Sequence, residues 1–353
     1  MTTESMTASL LPLLREGKPD AAGWLPRRIA MGAVLAVLLL IPVAVPDITT
    51  YGLWIQRAQI YVLVGISLNI LMGHLGQISL GHQAFFGVGA FAAALAVVNG
   101  GWPFWIALFA SAASGAIAAV LLGVIALRLK GLFLALITLA YGVIAENVLF
   151  ANPSLTGGDA GVNAQPPPGF TTSRAYIYLL FVVMALFYFI DWRLLKSKAG
   201  RAILAIRENE YAAASFGVNV VGYKLLAFVV SGALAGVAGA FFAHQPPGGP
   251  VISRTFDFQM ALTFVLMVAV GGLGSRAGIF IGSATFAILP LWLNSLTHWI
   301  PVIGGLLLLL TLTLNPGGVA QQIRPVTNWL IGKPFSLKGE GHGVAAGGAG
   351  VRP

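Results

Sequence analysis

Side chains capable of acid–base or metal chemistry are few and scattered along this chain. It has no cysteine, which excludes thiolate metal ligands, cysteine nucleophiles and disulfide bonds. His74 and His82 stand eight residues apart, about two helical turns and too far for one metal ion. Glu146 is the one acidic residue clearly inside a long apolar run. We therefore expect no metal site, no cofactor and no catalytic residue.

The sequence also lacks a nucleotide-binding pattern. There is no G-x-x-x-x-G-K-[ST] run, and the Gly-Lys pairs at residues 17–18 and 332–333 are both followed by proline. The chain is therefore not expected to hydrolyse ATP through that motif. A carrier driven by protons or sodium would bury several ionisable groups, each costing about 2.5–3.5 kcal/mol at a helix centre.

Four polar side chains lie in a glycine-rich stretch, residues 73–90, between two apolar runs: Gln77, Ser79, His82 and Gln83. Glycine permits unwinding, and unwound helices near the membrane midplane expose amides and carbonyls to a solute. The alternative is that the small residues serve close helix packing around a cytoplasmic turn. A translocation path through these four residues and plain packing both remain open.

A second informative stretch is the polar segment 191–224. It contains a helix-favouring run from Arg201 to Gly217, with apolar residues for one face at Ile203, Leu204, Ile206 and Ala213. Such a helix can dock into a groove on a soluble partner. It can also lie flat on a membrane surface, which its basic residues favour. The pattern does not decide between these two roles.

A third stretch, residues 151–174, combines a polar turn with a run of three consecutive prolines, residues 166–168. The turn reads Thr156, Gly157, Gly158 and Asp159. If it lies on the outer face, a binding protein could dock on it; the alternative is an ordinary glycine turn.

The composition indicates what holds these segments in place. The chain has 353 residues, of which 58% are hydrophobic and 9% charged, whereas soluble domains contain about 25% charged residues. A mean hydropathy of +0.87 fits a chain whose solvent is mostly lipid. The sequence therefore predicts an all-α, polytopic bundle of about ten transmembrane spans, eight at the fewest. The expected spans are 29–45, 58–72, 83–98, 102–127, 132–150, 175–190, 225–243, 258–270, 279–296 and 300–314.

Charge placement predicts the orientation of that bundle. With both termini in the cytoplasm, only Arg57, Arg174 and Arg254 of the 20 lysines and arginines fall outside. The formal charge of +9 is then a signal of topology, and nothing calls for nucleic acid. The predicted organisation is a cytoplasmic segment 1–28, a permease domain 29–314 containing the cytoplasmic loop 191–224, and a flexible tail 315–353.

From about residue 55 to 318, the chain resembles the branched-chain amino acid ABC transporter permease family, the LivM-type subunit. Five segments carry this resemblance, in the same order as in the family. They are residues 73–90 (GHLGQISLGHQAFFGVGA), 129–140 (LKGLFLALITLA), 155–161 (LTGGDAG), 208–228 (ENEYAAASFGVNVVGYKLLAF) and 267–278 (MVAVGGLGSRAG).

The resemblance implies an importer in the bacterial inner membrane. Its expected partners are a second, different permease subunit, two cytosolic ABC ATPases, a periplasmic solute-binding protein and membrane lipid. Segment 208–228 then corresponds to the family's ATPase-coupling segment. The coupling residues expected here are Arg207, Glu208, Glu210, Ala212, Ala213 and Gly217.

Two departures from the family pattern concern the solute. Family members commonly carry an acidic residue where Thr263 stands, and another near Val143, whereas here Glu146 lies three residues further on. We add Thr263 and Glu146 to the possible translocation path. The solute can accordingly be a branched-chain amino acid or another small compound such as urea, an amide or an aromatic acid. An ion-coupled secondary carrier and a non-transporting membrane anchor are the rival classes.

Overall fold

The computed structural model describes residues 50–127, 129, 131–158, 160–292, 300–314 and 318–319, all within one compact unit, residues 39–321. The described residues are mostly helical, as the sequence predicts. The predicted segment 1–28, the first predicted span 29–45 and the tail beyond residue 319 lie outside the described residues.

The helices follow the predicted apolar runs closely. In chain order they are α1 (Thr50–Asn69, continued by a π-helical turn Ile70–His74), α2 (His82–Val98), α3 (Phe104–Ala126), α4 (Leu132–Ile144, continued by a π-helical turn Ala145–Phe150), α5 (Pro153–Thr156), α6 (Ser173–Lys196), α7 (Lys198–Glu208), α8 (Glu210–Ser215), α9 (Val220–Ala243), α10 (Phe258–Gly271), α11 (Arg276–Trp292) and α12 (Ile300–Leu314).

Five helices in the described part of the chain are long and apolar enough to cross a bilayer: α1, α3, α4, α6 and α9. Three shorter apolar helices, α2, α10 and most of α11, accompany them. Helix α1 is the most enclosed of the five long ones and α4 the least. Helix α1 therefore stands in the core, and much of α4 faces outward.

Glycines bring α2, α3 and α9 into backbone contact. A Cβ added to Gly89 of α2 would lie 2.2 Å from Cα of Gly236 in α9, and one added to Gly115 of α3 would lie 2.3 Å from the carbonyl oxygen of Gly232. Real side chains never approach that closely, so only glycine fits at these positions. The small-residue stripe of α9 thus serves helix packing.

The described residues also contain one two-stranded antiparallel sheet, which the all-α prediction did not include. Strand β1 (Val162–Ala164) pairs with β2 (Gly249–Val251), with Val162 opposite Val251. Both strands lie beside proline-rich stretches, and proline removes the amide that a helix would need. A 3-10 turn, Ser253–Phe256, then leads into α10. We call this side of the bundle the hairpin end.

Helices α7 and α8 lie at the opposite end of the bundle. Helix α1 runs from the hairpin end, where Gln245 Nε2 donates a hydrogen bond to the Leu53 carbonyl at 3.1 Å. Its π-helical turn at the other end contains Gly73, whose carbonyl accepts a hydrogen bond from Arg207 of α7. We call residues 197–219 the α7–α8 segment.

Candidate functional site

Side-chain caps shape the α7–α8 segment. The Ser197 hydroxyl accepts from the Gly200 amide at 3.1 Å and begins α7, while the Asn209 side chain accepts from the Ala212 amide at 3.0 Å and begins α8. Ser and Asn are preferred at helix N-caps because they satisfy amides that lack a helical partner. Asn209 is extended between the two helices, so the segment changes direction there.

The apolar face of this segment packs against the chain itself. Ala202, Ile203, Ile206 and Ala213 are buried, whereas Leu204 is exposed. The structure therefore places the predicted coupling residue Ala213 in the internal contact rather than on the free surface. The outward surface includes Phe216, which is 88% exposed, and Tyr211, which is 79% exposed.

The polar residues predicted for coupling separate into two groups. Arg207 and Glu210 reach inward: Arg207 bonds the Gly73 carbonyl, and Glu210 pairs with Lys224 of α9 at 2.9 Å. Glu208, Ala212 and Gly217 are exposed. The inward pair fixes the segment to the helices, and the outward group remains accessible.

A buried carboxylate joins three helix ends beside this segment. Asp191, near the end of α6, lies 2.9 Å from Nε2 of His74 at the end of α1 and 2.5 Å from Nε of Arg276 at the start of α11. The Asp191 and His74 side chains are almost completely buried. A buried carboxylate is stable only when paired and hydrogen-bonded, so these contacts hold the three ends together.

Asn69 extends this network. Its side-chain oxygen accepts a hydrogen bond from the Gly274 amide at 2.8 Å, and its amide nitrogen lies 3.2 Å from Nε2 of His74. Because Arg207 bonds Gly73 of the same π-helical turn, the α7–α8 segment connects directly to it. We call Asn69, His74, Asp191 and Arg276 the Asp191 network.

Sequence reasoning missed the Asp191 network and the role of Lys224. In the sequence, Asp191 and Arg276 stand at the borders of predicted apolar runs. Charged residues at such borders are expected at the ends of membrane spans, so their position alone does not indicate a pair. Their pairing joins residues 85 positions apart in sequence. The sequence pattern contains no information about that pairing.

The glycine-rich stretch brings together four predicted path residues. Ser79, His82 and Gln83 are buried and Gln77 is half-buried, all at or before the start of α2. His82 Nε2 lies 2.8 Å from the Ser67 hydroxyl of α1. In contrast, Ser79 Oγ, His82 Nδ1, Gln77 Oε1 and both polar atoms of Gln83 are buried without a hydrogen-bond partner.

Unpartnered buried polar atoms are rare in folded proteins and need an explanation. Helix α4 covers this cluster, because the Leu80 amide donates to the Thr138 hydroxyl at 2.9 Å and Gln83 packs against Gly142. The other two predicted path residues lie elsewhere. Glu146 is half-buried at the end of α4, and Thr263 is half-buried in α10, where its hydroxyl donates to the Gln259 carbonyl.

The predicted docking turn lies at the hairpin end. Thr156 is buried, and its hydroxyl donates to the Phe150 carbonyl at 2.5 Å, so it holds the turn internally. Gly157 and Gly158 both have positive φ, which glycine alone adopts readily. Gly157 is half-buried and Gly158 buried. Asp159 lies outside the described residues.

No group of three or more histidine, cysteine, aspartate or glutamate side chains that could hold a metal ion occurs within the described ranges. The buried polar groups are instead arranged as a structural network at one end and an unpartnered cluster near α4.

Comparison with known proteins identifies the family. The family model for the branched-chain amino acid transport system permease component matches residues 51–314. The high-affinity branched-chain amino acid transport system permease protein LivM of Salmonella typhimurium is 31% identical, over 82% of this chain and 75% of the relative. LivM of Escherichia coli K12 matches to the same extent. LivH of Escherichia coli K12, another permease protein of such a system, is 25% identical over 73% of this chain and 90% of its own length.

No solved structure matches the chain significantly. The family match nevertheless spans all the long apolar helices, the α7–α8 segment and the Asp191 network. The chain belongs to the permease component family of branched-chain amino acid transport systems.

Proposed function

We propose that this chain is one of two different permease subunits of a bacterial ABC importer for branched-chain amino acids or a similar small solute. Partner ATPases supply the energy, and a periplasmic binding protein delivers the solute. Family membership supports this role, as does similarity to relatives named LivM and LivH. The complex then lies in the inner membrane.

The observation that carries the proposal is the double attachment of the α7–α8 segment. It is fixed to α1 through Arg207 and to α9 through Glu210 and Lys224. Its other surface leaves Phe216 exposed. A segment fixed to the helices on one side and free on the other can transmit an ATPase movement. Glu208, Ala212 and Gly217 form the accessible surface around Phe216.

The proposed topology has ten spans with both termini in the cytoplasm. It locates the α7–α8 segment inside and the hairpin end outside, and the distribution of lysine and arginine supports it. The binding protein then docks at the hairpin end, where the turn from Thr156 to Gly158 lies.

The proposed solute path passes the unpartnered cluster of Ser79, His82 and Gln83. Their free polar atoms are suited to a solute that enters when α4 moves, because α4 covers them. Alternating access requires that the path past α4 open to only one side of the membrane at a time.

Uptake of labelled leucine into right-side-out vesicles tests the energy source. The importer requires ATP inside the vesicle and tolerates an uncoupler in its presence. Uptake that persists without ATP and stops with the uncoupler would establish an ion-coupled carrier instead. Competition by urea, short amides and aromatic acids then defines the solute class.

Co-purification tests the docking surface. We expect Phe216→Asp to reduce ATPase retention about tenfold or more, as loss of a central aromatic contact does in other interfaces. Leu155→Asp is the matched control, since Leu155 is an exposed apolar residue at the hairpin end. Equal ATPase retention in both variants would contradict docking on Phe216.

A further inference from the structure

A cavity of about 300 Å³ opens at the hairpin end. The residues that line it include the apolar Leu53, Phe242 and Val251 and the charged Arg57. Small-molecule sites have volumes of about 300–1,000 Å³ and combine apolar walls with a few polar groups. The cavity therefore has the size and composition of a small ligand site.

Its position separates this cavity from the sites described above. Arg57 precedes Gly73 by sixteen residues on α1, which corresponds to about 24 Å along a helix. Gly73 contacts the α7–α8 segment, so the cavity lies at the opposite end of the bundle. That end faces the periplasm in the proposed topology.

Arg57 has no anionic partner in the described part of the chain. No carboxylate there pairs with it, and no oxygen there accepts a hydrogen bond from it. Its guanidinium carbon lies 5.4 Å from the Trp54 ring, which holds the side chain in place. Arg57 is half-buried and unpaired among the described residues, and the donor fork of a guanidinium matches a carboxylate well.

Contacts with neighbouring residues hold two of the residues that line the cavity, Phe242 and Leu53. Phe242 packs against Phe86 at 5.3 Å between ring centroids and against Phe256 at 6.2 Å. The Gln245 amide bonds the Leu53 carbonyl across the cavity rim. These contacts restrict Phe242 and Leu53, and such preorganisation reduces the cost of binding a small molecule.

We propose that this cavity is an outer binding site for a small aliphatic amino acid, with the α-carboxylate on Arg57 and the side chain against the wall of Leu53, Phe242 and Val251. The inference rests on the proposed function, because that function makes this end the entry side. It adds a carboxylate-selective step before the solute reaches the Ser79–Gln83 cluster.

Site-directed labelling tests the proposal without relying on transport. The chain contains no cysteine, so Gly249→Cys creates a single reactive thiol at the cavity. A Cβ at Gly249 meets nothing within 4 Å, so the substitution is tolerated. We expect leucine to slow maleimide labelling several-fold in the assembled permease–ATPase complex without binding protein. Leucinol, which lacks the carboxylate, should have no effect.

Variants of Arg57 then test the carboxylate contact. Protection by leucine should disappear in Arg57→Gln and return at higher leucine concentration in Arg57→Lys. Arg174→Gln is the matched control, because Arg174 is an exposed arginine of the same end outside the cavity. Thr171→Cys, also exposed and remote from the cavity lining, should label at the same rate with and without leucine.

Three results would overturn the proposal: no protection by leucine when Arg57 is present, equal protection by leucine and leucinol, or unchanged protection in Arg57→Gln. A fourth distinguishes the source of the carboxylate. If Arg57→Gln instead weakens docking of the solute-free binding protein, the cavity holds an acidic side chain of that protein. Protection by leucine together with ATP-independent uptake would preserve this site and refute the importer mechanism.

Discussion

Asp191 illustrates how a single residue joins distant parts of this molecule. Its two carboxylate oxygens contact His74 and Arg276, which belong to different helices. Lys224 makes a comparable link, since its buried ammonium pairs with Glu210 of α8. The carboxylate of Asp191 therefore joins helix ends beside the α7–α8 segment, and that of Glu210 joins the segment itself to α9. Loss of either charge is expected to affect folding and coupling together.

Asp191→Asn should lower the free energy of unfolding by about 3 kcal/mol. Removing one partner of a buried charge pair costs about 3–5 kcal/mol, and partial exposure of Arg276 reduces that cost. Thermal unfolding of the detergent-solubilised complex measures the effect. Glu208→Gln is the control, because Glu208 is exposed. Equal melting temperatures for the two variants would refute the structural role of the Asp191 network.

The Lys224–Glu210 pair allows a double-mutant test. Glu210→Gln leaves the buried Lys224 ammonium without its paired charge and should lower the melting temperature clearly. Adding Lys224→Met removes the unpaired charge, so the double variant should recover most of the loss. Additive losses in the double variant would mean that the two side chains act independently.

At the residue scale, the sequence identifies types and faces but not partners. It predicts that Ile203, Leu204, Ile206 and Ala213 share an apolar face; the structure buries Ile203, Ile206 and Ala213 but leaves Leu204 exposed. It does not reveal whether that face packs on a partner or on the chain itself. The sequence likewise does not reveal that Arg207 bonds Gly73 or that Glu210 pairs with Lys224, because both contacts form only in the folded chain.

At the scale of elements, the glycine contacts define how α2, α3 and α9 associate. Backbone meets backbone at Gly89, Gly115, Gly232 and Gly236, so no side chain separates the helices at these positions. In lipid, such close approach stabilises association through van der Waals contact. The positions of the described helices were predictable because these helices coincide with long apolar runs of the sequence. The π-helical turns and the β1–β2 pair were not, because they depend on contacts made after the helices assemble.

Gly236→Val should destabilise this three-helix contact by more than the 1–3 kcal/mol typical of overpacking. A Cβ there would lie 2.3 Å from the Ser111 carbonyl oxygen, and backbone cannot move aside as a side chain can. Gly305→Val is the matched control, since a Cβ at Gly305 in α12 meets nothing within 4 Å. The yield of monodisperse protein and its melting temperature measure both. A similar yield for the two variants would contradict the contact.

At the scale of the whole molecule, the two ends of the bundle differ in the groups that they carry. The α7–α8 end combines exposed aromatic residues with buried charge pairs, whereas the hairpin end combines a small sheet with an apolar cavity. Composition and charge placement were sufficient to predict a polytopic helical chain. The cavity beside Arg57 was not predictable, because it forms between α1 and the end of α9 with the loop that follows it, which are far from Arg57 in sequence.

The proposed orientation predicts opposite labelling of the two ends. In right-side-out vesicles, a membrane-impermeant maleimide should react with Thr171→Cys and spare Phe216→Cys. Inverted vesicles should give the reverse result. Both residues are exposed, so accessibility of the side chain itself does not limit the reaction. Labelling of Phe216→Cys from outside would reverse the proposed topology.

The glycine contacts among α2, α3 and α9 also have a mechanical meaning. Helices that touch through their backbones cannot slide past one another without collision, so we expect these three to move together. Lys224 stands in the first turn of α9, and a force applied to Glu210 therefore acts on the whole group rather than on one helix. We therefore expect relative movement at other helix contacts. Helix α4, the least enclosed of the five long helices, is our candidate for the helix that moves against this group.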